Sequence, residues 1–182
     1  MQKESAGVVE MKITNSCKKM KLPNKKVVDI LSTVFEELEN WIQDSFEKDE
    51  AGGYIVGYQH KGSGNVTLEN ISFPHTLDER SRFGFSMKDP KHKSFLSYHR
   101  RKKSFYMGVW HTHPQMVPEP SAIDWKDWNE TLEVDKTGCE YVFFIIAGIQ
   151  EIRIWVGDFE SKTIKEIFEC EEAGGLYKTQ NV

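Results

Sequence analysis

From Tyr141 to Ile149 the chain reads YVFFIIAGI, a run with no polar face to offer water. At this length the run reads as a strand buried on both sides, and such a strand needs covering layers above and below it. The neighbouring EIRIWVGDF (Glu151–Phe159) alternates apolar and polar residues, so it pairs beside the run through a turn at Gly148–Glu151. TIKEIFEC (Thr163–Cys170) adds an edge strand. Upstream, SFYMGVWHTH (Ser104–His113) is a further buried strand that ends at two histidines. GYIVGYQ (Gly53–Gln59) and VTLENISF (Val66–Phe73) form a pair joined through HKGSGN.

The covering layers come from helical periodicity. Val27, Ile30, Leu31, Val34, Phe35, Leu38, Trp41 and Ile42 recur every three or four residues, which predicts one long amphipathic helix over 24–46. A second helix follows Pro90, and a third starts near Ser121 with Ile123, Trp128 and Leu132 on one face. FGFSM (Phe83–Met87) alternates enough for a short strand inside an otherwise polar stretch, 74–93. Helices flanking a sheet of mixed order make an α/β sandwich rather than a doubly wound repeat.

A length of 182 residues suits one domain, here 23–170, with 1–22 an extension or first strand and 171–182 a frayed tail. A net charge of −4 gives no basic field for nucleic acid. The local run HRRKK (His99–Lys103) suits the negative end of a helix better than a phosphate. Cys17, Cys139 and Cys170 are odd in number and form no Cys-x-x-Cys pair, so neither a disulfide framework nor a thiolate metal site is expected. No stretch has the length of a signal peptide core or a membrane span, and a cytoplasmic location is the expectation.

The chemistry concentrates in WHTHPQMVPEPSAIDW (Trp110–Trp125). His111 and His113, two apart at a strand end, point to the same side and can meet one ion. Asp124 follows in the first turn of the next helix. Two imidazoles and a carboxylate suit zinc with an open fourth position, and fit magnesium or calcium poorly. Taken alone, Ser121-x-x-Asp124 is a capping box and His-x-His a pair of ordinary histidines. The two readings are compatible, because a capped helix start is a rigid mount for a ligand.

His111-x-His113, Ser121 and Asp124, with the upstream EAGGYIVG (Glu50–Gly57), resemble the JAMM signature of the JAB/MPN metallopeptidases, including its E-x-x-G-x-x-x-G stretch. The resemblance covers roughly 27–159. It implies a JAB/MPN-like, cytidine-deaminase-like α/β sandwich with one catalytic zinc ion held by His111, His113 and Asp124. It also implies Glu50 as general acid/base and Ser121 as stabiliser of the developing oxyanion, in hydrolysis of peptide or isopeptide bonds. The flanking tryptophans are similar to those of a bacterial branch found in CBASS antiphage operons. That branch releases a CD-NTase from the target to which its C-terminus is conjugated. The implied partner is a protein with an extended C-terminal tail, a CD-NTase or a ubiquitin-like conjugate, with no nucleic acid and no membrane. Other ubiquitin-like or sulfur-carrier substrates, or a non-catalytic MPN scaffold, are the alternatives. A zinc deaminase is set aside because Pro-Cys-x-x-Cys is missing.

Overall fold

The computed structural model describes residues 17–170, so the tail expected to fray lies outside the described residues. Strand β1 (Lys18–Lys21) turns through Pro23 and Asn24 into β2 (Val27–Ile30), with Lys25 in a left-handed conformation at φ 69°. Helix α1 (Ser32–Glu39) follows, then β3 (Gly52–Gln59) and β4 (Val66–Ile71). A small hairpin, β5 (Glu79–Ser81) and β6 (Gly84–Ser86), precedes α2 (Lys91–Arg101). Then come β7 (Phe105–Thr112), α3 (Ala122–Val134), β8 (Tyr141–Ala147), β9 (Ile152–Asp158) and β10 (Thr163–Ile167).

The long helix expected over 24–46 is corrected here. Its first third is β2, and its last third, after Glu39, is irregular. Val27, Val28 and Ile30 are β-branched, and a turn at 22–26 pairs them with β1, so strand preference and pairing override the helical spacing. Ile123 is a second correction. It is 69% exposed, while Trp128 and Leu132 on the same helix are buried. Five residues along a helix turn about 140° away, so Ile123 cannot share their face.

The main sheet has eight strands in the order β1-β2-β4-β3-β7-β8-β9-β10. Only β2–β4 and β7–β8 are parallel, so the sheet is mixed. The segment after β10 returns to β1: Lys21 N–H bonds Phe168 O at 3.1 Å and Cys170 N–H bonds Lys19 O at 2.8 Å, so the two outer strands meet in a seam. Every residue of β8 is buried, as its sequence demands. Phe143 and Ile145 face a core shared with Val34, Phe35 and Leu38, while Val142, Phe144 and Ile146 face Trp128, Leu132 and Trp155. Two apolar layers thus cover one strand through its two-residue period.

Gly53 and Gly57 of β3 sit where backbone approaches backbone. A Cβ on Gly53 would lie 2.2 Å from Ser72 O, and one on Gly57 would lie 2.0 Å from Thr67 O. Among the described residues no helix is long and apolar enough to cross a membrane, and the cysteines are unbonded.

Candidate metal centre and active site

Strand β7 aims alternate residues at opposite layers. Trp110 and Thr112 point into the α1 side, where Trp110 Nε1–H donates to Ser72 O at 2.8 Å. Val109 and His111 point toward α3. Past the strand end, His113 N–H bonds Ala147 O at 3.0 Å, which keeps the second imidazole beside the first. The two Nε2 atoms lie 3.0 Å apart.

Ser121 caps α3. Its Oγ accepts the Asp124 N–H at 3.1 Å, and Asp124 Oδ2 accepts the Ser121 N–H at 2.6 Å, a complete capping box. The same carboxylate reaches His111 Nε2 at 3.1 Å and His113 Nε2 at 3.3 Å. Burial opposes its charge, but the two imidazoles and the Ser121 N–H hold it well below the usual carboxylate range. For His113, burial lowers the pKa, and Asp124 more than reverses that, leaving it raised. The loop 114–120 that links strand to helix is tied to β9: Arg153 donates to Pro118 O at 3.0 Å and pairs with Glu119 and Glu166.

The ligand atoms of His111, His113 and Asp124 lie within 4.8 Å of one another. Two imidazole nitrogens and one carboxylate oxygen on rigid mounts form a donor set suited to zinc.

Glu50 enters from the irregular segment just before β3. Its N–H bonds Ser81 O at 2.8 Å, and Arg80 grips Glu50 O at 2.8 Å and Asp49 O at 3.1 Å. Its side chain lines a cavity of about 590 Å³ together with His111, His113, Ser121 and Asp124. Burial raises the Glu50 pKa, the two histidines counter part of that rise, and Asp124 adds to it. All five residues singled out in the sequence therefore border one cavity.

Phe83 and Phe85 of the hairpin form another cavity wall, within the 74–93 stretch that resists assignment from sequence. Arg80 and the buried His92, which joins Ser72 to Asp78, are not singled out by sequence reasoning. Nothing in the spacing around either residue signals such a role. Of the remaining histidines, His60 bonds Thr67 Oγ1 at 2.9 Å, well away from the cavity.

A family model described as prokaryotic homologs of the JAB domain matches residues 33–157. A protein of Escherichia coli (strain TW11681) named CD-NTase/cGAS isopeptidase is 30% identical over 77% of this chain and 86% of its own length. A Vibrio cholerae protein of the same name is 28% identical over 76% of this chain and 85% of its own length. A Desulfitobacterium hafniense protein solved in solution shares the fold, with a TM-score of 0.52 and 20% identity over 78% of this chain and 88% of its own. With most of its length matched by the family model, the chain belongs to the prokaryotic homologs of the JAB domain.

Proposed function

We propose that this protein is a zinc-dependent isopeptidase that hydrolyses the amide bond joining the C-terminal tail of a CD-NTase to its conjugation target, in the cytoplasm of a bacterium carrying a CBASS system. The observation that carries the reading is the convergence of His111, His113 and Asp124 with Glu50 and Ser121 on one cavity. The names of the E. coli and V. cholerae relatives support the substrate class.

A zinc ion held by the three donors would lower the pKa of a water from ~15.7 to about 7 and polarise the scissile carbonyl. Glu50, ionised, accepts the proton of the attacking water and returns it to the leaving amine. Ser121 Oγ uses a lone pair for the Asp124 N–H and keeps its own proton to donate to the oxyanion, a contribution of roughly 3 kcal/mol. The bond cleaved is the amide C–N; the products are a carboxylate on the tail and a free amine on the target.

Phe83 and Ile123, exposed at the cavity rim, suit an extended tail laid across the site. Outside the main sheet, the β5–β6 hairpin carries strand edges against which such a tail can pair.

The test uses protein carrying one zinc per chain and a CD-NTase joined through its C-terminus to a reporter, beside ubiquitin-linked and sulfur-carrier-linked controls. Cleavage of the CD-NTase conjugate, abolished by chelation and by Glu50→Gln, is expected. Preference for a control reassigns the substrate. Cleavage of none with zinc bound leaves a peptidase of an unrelated substrate or a non-catalytic scaffold, and a native fold that takes up no zinc refutes the enzyme reading.

A further inference from the structure

Just beyond α1, in the irregular segment, Gln43 is 1% exposed. Its Nε2 donates to Lys48 O at 3.1 Å and to Arg82 O at 2.9 Å. Its Oε1 accepts the hydroxyl proton of Thr112 at 2.8 Å. The carboxamide orientation follows from its partners, since two carbonyls can only accept and the reversed amide would face them with oxygen. Thr112 Oγ1 in turn accepts the Ala51 N–H at 3.0 Å, while Thr112 N–H donates to Ala51 O at 2.9 Å.

These partners are not scattered. Thr112 lies between His111 and His113, Ala51 directly follows Glu50, and Arg82 directly precedes Phe83 of the cavity wall. One buried amide therefore joins the histidine strand, the glutamate segment and the hairpin. A buried side-chain amide persists where its polar atoms are matched, and each polar atom of this one is.

We propose that Gln43 is a positioning residue that, through Thr112 and Ala51, holds Glu50 in register with the His111–His113 pair, and through Arg82 holds the β5–β6 hairpin over the cavity. Its catalytic consequence rests on the hydrolase reading above; its structural consequence does not.

The test compares Gln43→Met, of similar volume but without the amide, with the Thr112→Val and Thr112→Ser pair. On a cleavable conjugate, Gln43→Met and Thr112→Val lower kcat about 10- to 100-fold, as expected for a displaced catalytic group. Zinc content stays within about twofold in both; KM does so in Thr112→Val but rises in Gln43→Met, which also loses the bond to Arg82 O that holds the hairpin. Thr112→Ser, which keeps the hydroxyl, stays near wild type, and the double Gln43→Met/Thr112→Val variant is no worse than the poorer single variant. Amide exchange at Glu50 and Ala51 rises at least about tenfold in Gln43→Met, with β8 unchanged.

Unaltered kcat in folded variants, or a loss confined to KM or to zinc content, overturns the proposal. If Gln43→Met fails to fold, the Thr112 pair decides on the same criteria. If wild-type protein cleaves no conjugate, the hydrolase reading fails instead. The exchange measurement still stands in that case, and unchanged protection at Glu50 and Ala51 overturns the positioning role.

Discussion

Replacing Asp78 by asparagine probes how the hairpin is held at its base. The Asp78 carboxylate is fully buried. Its Oδ2 accepts the His75 N–H at 2.8 Å and His92 Nε2–H at 2.7 Å, and its Oδ1 accepts the N–H groups of Lys88 at 2.8 Å and Asp89 at 2.9 Å. Through His92 the tie continues to Ser72 Oγ at 2.8 Å, which itself accepts the Tyr54 N–H. Burial alone would raise the carboxyl pKa, but the donors outweigh it and pull the group from an ordinary 3.8 to about 2. That drop corresponds to about 2–3 kcal/mol of stability at neutral pH.

Asparagine offers one acceptor oxygen in place of two, so two of the four donors would face an NH₂ group. Each donor left unsatisfied costs about 1–3 kcal/mol. The two routes agree on a loss of about 3 kcal/mol, or a fall in Tm of about 6–12 °C for a chain of this size.

The assay is urea unfolding of wild type and Asp78→Asn at pH 7 and pH 3. Because the folded pKa is depressed, the stabilisation is complete above the unfolded value near 4 and fades as pH falls through about 2. The charge-dependent part of the gap therefore shrinks to roughly half between pH 7 and pH 3. A gap below about 1 kcal/mol at pH 7, or one equal at both pH values, refutes the reasoning.

Glu50→Gln should lower kcat by about 10²- to 10⁴-fold while zinc content, measured by elemental analysis, stays at wild-type level. The raised folded pKa of Glu50 means that its ionisation opposes folding as pH rises above the unfolded value. In metal-free protein the same variant should therefore be more stable than wild type at pH 7 and lose that advantage near pH 4, as read by thermal unfolding. Ser121→Ala should cost about 1 kcal/mol of stability through the lost cap and lower kcat by about 10²-fold or more, whereas Ser121→Asn should restore most of the stability but little of the activity. Gly53→Ala drives a methyl against the Ser72 backbone and should cost about 1–3 kcal/mol in urea unfolding, with a smaller effect for the same change at the open Gly62.

The sequence and the structure agree best where one physical signal dominates. Strand β8 is legible because nothing along it is polar, and α3 because Ser121 and Asp124 cap it from both directions. Residues 24–46 mislead because Val27, Ile30, Leu31 and Val34 satisfy a helical spacing while Val27–Ile30 also satisfies strand pairing. Spacing alone cannot register that β4 lies alongside. The five site residues stand out through their chemistry and order. Gln43 and Thr112 do not, because their roles depend on contacts 69 residues apart in the chain. His92 looks ordinary for the same reason: its partners Ser72 and Asp78 lie on other segments, and no local pattern announces them.

The seam between β1 and the segment after β10 also decides where the molecule can be held. The β3–β7 pair, which carries the cavity, occupies the middle of the strand order, so in a sheet that meets itself it lies across from the seam. Cys17 is exposed beside that seam, whereas burial pushes the Cys139 thiol up to about 11 and slows its reaction. A dye or surface linker attached at Cys17 would therefore anchor the protein from behind, leaving the cavity facing outward to meet a bulky conjugated protein.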